Sequence, residues 1–308
     1  MLRTGEQFSL VLDGANGTVT ATVTELAASL RQLGVGGVQL VHEYPADLAP
    51  PYGQGIVLVP WPNRVRRGAW VLDGQQQQLD ITEPSTGNAT HGLLRNTGYR
   101  VTDRSAHAVT LAAPIFPQHG YPFTLETSVR YELVDDGLRV THGIVNAGTG
   151  TAPVAIGAHP YLRVGDTPSD QLTVTVSGET YYPLDETFIP TGTASVAGTD
   201  RDLRAGRRLA DVSLNTAYTD LALEDGMHRH RLADPAGNTL ELWGDQSFAF
   251  VQVYTHPSFT GLSGDEFAVA MEPMTAPADA LNRGEGLRWL EPGEQWLAGW
   301  GIRYVPAA

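Results

Sequence analysis

Cysteine is missing from all 308 residues, which excludes disulfides, thiolate metal sites and a thiol nucleophile. Long apolar runs are missing as well. No segment approaches the ~18 residues of a membrane helix, and Met1–Leu12 lacks the basic-then-apolar order of a secretory signal. Basic residues are few: 20 Lys and Arg stand against 34 Asp and Glu, a net charge of −14. Such a surface repels phosphate backbones and anionic lipid, so nucleic acid and membrane surfaces are not expected partners. Together with the absent cysteine and the absent export signal, this leads us to expect a cytoplasmic protein. Asn16-Gly17-Thr18 and Asn88-Ala89-Thr90 match the N-glycosylation pattern, but without an export signal they read as chance matches. There is no Walker loop, no Gly-rich dinucleotide turn and no Gly-x-Ser-x-Gly elbow, so the nucleotide-binding and serine-hydrolase classes have no support.

What is present is turn chemistry and alternation. Thirty-four Gly and 20 Pro are scattered evenly and punctuate many short segments. Thr18–Val23 alternates polar and apolar residues with period two, as do Leu172–Val176, Thr239–Trp243 and Phe248–Tyr254. Val129–Leu133 and Leu138–Ile144 read as a hairpin around Asp135-Asp136-Gly137. The best helical stretch is Glu25–Leu33, and its glycine-rich sequel argues against a long helix. Thr191–Gly206 reads as an extended surface loop, and Gln75–Gln78 as a strand edge or turn. Apart from these, strands recur every 8–15 residues or so without a fixed repeat or dividing linker. The expectation is an all-β fold in one domain over residues 1–308.

Some short stretches press polar side chains against Gly, Pro and aromatics. In Pro60-Trp61-Pro62-Asn63-Arg64 the prolines stiffen the backbone around a tryptophan and an arginine, a pairing suited to stacking on a sugar face and bonding its hydroxyls. In His91-Gly92 the glycine leaves the imidazole free to approach a ligand. In His159-Pro160-Tyr161 the proline favours an extended backbone at His159, a side chain able to act as acid or base near neutrality. Glu272, in Glu272-Pro273-Met274, follows an apolar strand, where desolvation should raise its pKa. His228 and His230 share a strand face but lack a clear third metal ligand, and read as a solvated edge.

Taken in order, Asn63-Arg64, His91-Gly92, His159-Pro160-Tyr161 and Glu272-Pro273-Met274 with Pro277 and Asn282 resemble the aldose 1-epimerase (galactose mutarotase) family. Gln252-Val253-Tyr254-Thr255 resembles the family's strand before the glutamate, and the likeness runs roughly from residue 10 to residue 305. The resemblance implies a large twisted antiparallel β-sandwich with its site in a cleft on one face. It implies His159 as general acid, Glu272 as general base and His91 as the second catalytic histidine. It further implies a sugar held by Arg64, with Asn63, Tyr161 and Trp61 around it, and neither metal nor cofactor. Asn215 stands where the family carries an aspartate that binds sugar hydroxyls, and Asp220 or Asp245 could substitute.

The expected activity is interconversion of the α and β anomers of a free aldose by a monomer or homodimer. The alternatives are a mutarotase for an anionic sugar, a hexose phosphate or sulfonated hexose met by Arg64, Arg66, Arg67 and Arg95, and a non-catalytic sugar-binding protein, for which Asn215 speaks. A glycosidase typically needs two flanking carboxylates, and one well-placed acid is visible.

Overall fold

In the computed structural model, residues 2–14, 16–262 and 264–307 are described; Met1, Ala15, Ser263 and Ala308, which the one-domain expectation included, lie outside them. The described residues form ten-, eight- and four-stranded sheets, with two-stranded pairs beside them. The ten-stranded sheet runs Arg100–Arg104, Ala108–Ile115, Leu125–Val134, Gly137–Asn146, Gln295–Val305, Thr239–Gly244, Met227–Ala233, Thr173–Val176 and Arg207–Arg208 in spatial order, with Leu223–Glu224 paired on Met227–Ala233. Its C-terminal strand is thus inserted at the centre, between strands far apart in sequence. The expected hairpin is real and longer than its apolar cores, pairing Leu125–Val134 with Gly137–Asn146.

Alternation decides which face is buried. In Leu125–Val134 the residues Leu125, Thr127, Val129, Tyr131 and Leu133 point inward and their neighbours outward. The inner face packs on the eight-stranded sheet: Val140, Leu242 and Ile302 share one apolar cluster with Val251, Val253 and Met271. Val19, Val23 and Leu33 of the four-stranded N-terminal sheet join the same cluster. This is an all-β antiparallel sandwich.

Two local expectations are corrected, for Glu25–Leu33 and for His228 with His230, while the Asn88 pattern is a chance match as read. Glu25–Leu33 is not helical: Ala27 and Ala28 adopt left-handed φ of 56° and 47°, Thr24 N–H bonds to Ser29 O, and Leu30–Val35 continues as strand. Tertiary pairing overrides helix propensity there. His228 and His230 are no solvated edge; the alternation of Met227–Ala233 turns them inward, to 6% and 3% exposure. Asn88 cannot carry a glycan, because its buried amide donates to Thr86 Oγ1 and Thr187 O and accepts from Arg67 N–H. Thr191–Gly206 is mostly loop, although Ala194–Ser195 pairs with Thr180–Tyr181 and Val196 and Leu203 are buried. Among the described residues no helix is long and apolar enough to cross a membrane.

Buried imidazoles make the fold acid-sensitive. Trp300 Nε1 donates to His142 Nε2 at 2.9 Å, and burial pushes His142 down to about 3. Burial, helped by His228 and Arg231, pushes His230 down to about 3 as well. The unfolded chain protonates both near their ordinary 6.5 while the folded chain does not, so stability is full above that pH and drains as pH falls towards 3. Each group costs about 1.4 kcal/mol per pH unit in that window. Denaturant midpoints measured between pH 7 and 4 should fall steeply, and His142→Gln should flatten the slope.

Candidate active site

The eight-stranded sheet has a second face, and that face floors a cleft of about 820 Å³. Phe250–Gly261 pairs with Gly264–Met274 in a register that sets Gln252 opposite Glu272 and Tyr254 opposite Ala270. Asn215–Thr219 adds Asn215 beside Tyr254, and Tyr161–Leu162 adds Tyr161 beside Ala270. Because side chains alternate, Val251, Val253 and Met271 enter the core while Gln252, Tyr254 and Glu272 enter the cleft.

Glu272 is 3% exposed, and its Oε1 lies 3.5 Å from Nε2 of His159, itself 6% exposed. Glu272 Oε2 and His159 Nδ1 are buried with no partner among the described residues. Burial drives the two groups in opposite directions. The Glu272 carboxyl is pushed up to about 8, against a smaller lowering by Arg64, and the His159 imidazole is pushed down to about 4. Between those values the pair holds one proton and carries no net charge.

His159 hangs from a tight loop: its carbonyl accepts Gly55 N–H at 2.8 Å and its own N–H bonds to Ile56 O at 3.2 Å. The Tyr161 ring stacks on it at 5.3 Å, and His91 meets it edge-on at 5.4 Å. His91 is held well below the ordinary histidine range by burial and by His159, Arg64 and Arg95, and its buried Nδ1 has no partner among the described residues. The Tyr161 hydroxyl is likewise buried without a partner among the described residues, its pKa raised by burial and by Glu272.

The glycine of His91-Gly92 has another purpose than the one expected. Gly92 bridges Val59 in parallel, and a Cβ there would lie 2.0 Å from Val59 O at a φ of +70°. It is required by backbone contact, and through that contact it fixes His91, whose N–H bonds to Asn63 O at 2.9 Å.

Arg64 lies half-buried at the wall. Its Nε and Nη2 donate to Glu83 Oε2 and Oε1 at 2.7 and 2.8 Å, a two-pronged pair. Burial would raise the Glu83 carboxyl, but the bonds from Arg64 and Thr86 outweigh it and hold the group low. Phe188 covers the guanidinium at 4.9 Å, and Asn63 Oδ1 caps the Arg64 N–H at 2.9 Å. Asn282 belongs to a clamp on this segment: Asp279 N–H bonds to Arg64 O, Asp279 Oδ1 accepts Arg66 N–H, and Asn282 Nδ2 donates to Asp279 Oδ1.

Of the expected residues, the cleft gathers His159, Glu272, His91, Arg64, Asn63, Tyr161 and Asn215. Trp61 is a correction. It is 1% exposed, packs on Tyr121 at 5.9 Å and borders a separate hollow of about 190 Å³, so it is core beside the site and not a sugar platform. Asp220 and Asp245 do not line the cleft, and Asp245 is spent on the Gly299 N–H. Asn215 instead accepts Gln252 Nε2 at 2.7 Å. Arg66 pairs with Asp185 at 3.2 Å, whereas Arg95 lines the cleft with no hydrogen-bond or ion-pair partner found among the described residues. Sequence reasoning missed Glu83, Asp185, Phe188, Tyr52 and Arg201. Glu83 sits in Glu83-Pro84-Ser85-Thr86-Gly87, which by composition is an ordinary surface turn. No group of three or more His, Cys, Asp or Glu placed to hold a metal ion is found among the described residues.

A test follows from the pair alone. NMR titration should find the His159 ring neutral down to about pH 4. A ring titrating near the ordinary 6.5 would show that the floor is wet and the pair uncoupled.

The family model for aldose 1-epimerase matches residues 10–303. YihR of Escherichia coli (strain K12), an uncharacterized protein, is 32% identical over 284 residues, 91% of this chain and 88% of its own. The galactose mutarotase of Homo sapiens is 32% identical over 223 residues, 67% of this chain and 64% of its own. Among solved structures, a GalM/aldose epimerase homologue from C. elegans superposes with a TM-score of 0.84 at 18% identity, covering 98% of this chain and 100% of that one. The galactose 1-epimerase of Lactobacillus acidophilus NCFM gives 0.77 at 18% identity, covering 97% and 94%.

Proposed function

Since the chain belongs to the aldose 1-epimerase family, we propose that it is a mutarotase, converting the α and β anomers of a free aldose through the open-chain form. What carries the reading is the buried acid–base pair, Glu272 Oε1 and His159 Nε2 at 3.5 Å on the cleft floor, each with a further polar atom left for a ligand.

The chemistry asks for such a pair. Ionised Glu272 takes the proton from the C1 hydroxyl while protonated His159 delivers one to the ring oxygen. The C1–ring oxygen bond breaks and C1 becomes an aldehyde. Rotation about C1–C2 turns the other face of the carbonyl to the ring hydroxyl, and the steps run back with the roles exchanged. The intermediate is a neutral open-chain sugar, so the reaction asks for neither redox cofactor nor metal. His91 supports the region of C1 and the ring oxygen. Arg64, fixed by Glu83, with Asn63, Asn215 and Tyr161, holds hydroxyls. Positioned acid and base groups contribute about 10²–10⁴-fold, in keeping with a reaction already appreciable in water.

The single proton of the pair sets the pH dependence. Below about 4 both groups are protonated and no base is left; above about 8 both have lost their protons and no acid is left. The active arrangement, with the proton on His159, has the same proton count as the resting one. Hence kcat/KM measured by polarimetry should be level between those values and fall on either side. Faster approach of α-D-glucose or α-D-galactose to its unchanged final rotation is the basic assay. Glu272→Gln and His159→Asn should each nearly abolish the acceleration without altering the circular dichroism spectrum. Near-normal rates in both variants would remove the pair from the mechanism.

A second reading, a mutarotase for a hexose phosphate or sulfonate, is favoured by Arg95 and Arg201 in the cleft wall. On that reading the anionic sugar outpaces the neutral one, added salt weakens its binding, and Arg95→Ala removes the preference. A sugar-binding protein without activity would leave every rotation curve unchanged. The acidic, cysteine-free chain suits a cytoplasmic setting, as a monomer or homodimer.

A further inference from the structure

Residues 40–42 lie antiparallel to 161–163, with Val41 opposite Leu162. His42 N–H bonds to Tyr161 O at 2.9 Å and Arg163 N–H to Leu40 O at 3.0 Å. The reciprocal bond of the His42–Tyr161 rung, from Tyr161 N–H to His42 O, is not made. In its place sits the side-chain amide of Gln54: Oε1 accepts Tyr161 N–H at 2.7 Å and Nε2 donates to His42 O at 2.7 Å. An antiparallel rung of this kind normally exchanges both bonds directly. Here one amide has been inserted, holding the two backbones apart at the point where the chain turns into Pro160 and His159.

We infer that Gln54 is a positioning residue, a splint that sets His159 against Glu272. The inference rests on the mutarotase reading given above. Gln54 is fully buried, and its own carbonyl accepts Ser29 Oγ at 2.7 Å, so the splint is anchored at its root. The far abutment is anchored too: His42 is held through Nδ1 by Glu266 Oε1 at 2.9 Å and through Nε2 by Ser169 Oγ at 3.0 Å. The next residue, Gly55, gives its N–H to His159 O, and a Cβ on it would lie 2.1 Å from Leu30 O, so the loop cannot shift to compensate. On the catalytic side, Gly53 lies against the His159 ring, where a Cβ on it would be 3.7 Å from Cδ2, and Tyr161 stacks on the same ring at 5.3 Å. Closing the rung directly would draw Tyr161 towards His42 and carry His159 with it, away from a carboxylate at 3.5 Å.

Two substitutions test this in the full-length protein. Gln54→Met keeps the bulk and removes the amide. The expected result is a kcat for anomer exchange lower by about 10- to 100-fold, the cost of a misplacement near 1 Å, with KM nearly unchanged. Gln54→Glu rescues conditionally. As a neutral acid its O–H donates to His42 O and its C=O accepts Tyr161 N–H; as a carboxylate it repels His42 O. Relative to wild type it should be nearly normal at about pH 5 and fail progressively towards about pH 8, as the introduced carboxyl ionises. A Met variant that melts earlier but keeps the wild-type kcat per folded molecule would overturn the inference. So would a Glu variant with the same relative rate at every pH. Should wild type accelerate no sugar, the mutarotase reading fails by itself. The NMR signals and titration of the His159 ring in wild type and Gln54→Met then decide the splint, and unmoved signals overturn it.

Discussion

Desolvation of one carboxyl group governs how this protein is built. Glu272 is carried into an almost fully buried position by a strand whose alternate residues fill the core, and no group among the described residues gives its second oxygen a hydrogen bond. A lone charge there would be costly, so the group keeps its proton and His159 across from it stays neutral. Arg64, whose charge opposes the raised carboxyl, is matched by Glu83 through two hydrogen bonds. The neutral Asn215, where an aspartate was expected from the family, adds no competing negative charge, and its oxygen is taken by Gln252.

The two sheets divide the work. The ten-stranded sheet contributes core and burial, and its C-terminal strand ties distant parts of the chain together at the centre. The eight-stranded sheet supplies a flat floor on which register alone decides which side chains face one another. A shift of one residue in the pairing of Phe250–Gly261 with Gly264–Met274 would send Glu272 into the core and Met271 into the cleft. The burial of Val251, Val253, Val269 and Met271 therefore fixes the chemistry as firmly as any polar contact.

Much of this could be read from residues alone. Alternation revealed the strands because each has one buried face, and the histidine, arginine and glutamate motifs stood out because prolines and glycines crowd around them. Trp61 misled because an aromatic beside prolines looks the same whether it faces a ligand or Tyr121. Glu83 and Asp185 stayed hidden because a turn carboxylate shows no sign of its partner until the chain folds. Gln54 was invisible for a related reason: its role depends on a backbone bond that is not made, and sequence patterns record side chains rather than missing rungs. Glu25–Leu33 has helical composition, but strand pairing on either side outweighs a propensity of a few tenths of a kcal/mol per residue.

Around the cleft, side chains other than glycine repeatedly adopt the left-handed backbone: Tyr52 (φ 52°), Asn63 (φ 55°), His91 (φ 61°), Phe188 (φ 60°) and Asp279 (φ 64°). Each such residue forgoes about 1–3 kcal/mol, a debt carried by the apolar interior of the sandwich. Mutational tolerance should therefore be distributed unevenly along the chain. Glycine at these positions would relax the backbone yet loosen what it aims, so selection for thermal robustness and selection for turnover would pull the same codons in opposite directions. A lineage drifting towards greater stability would lose the geometry of its cleft first at these bends, well before any strand of the scaffold changed.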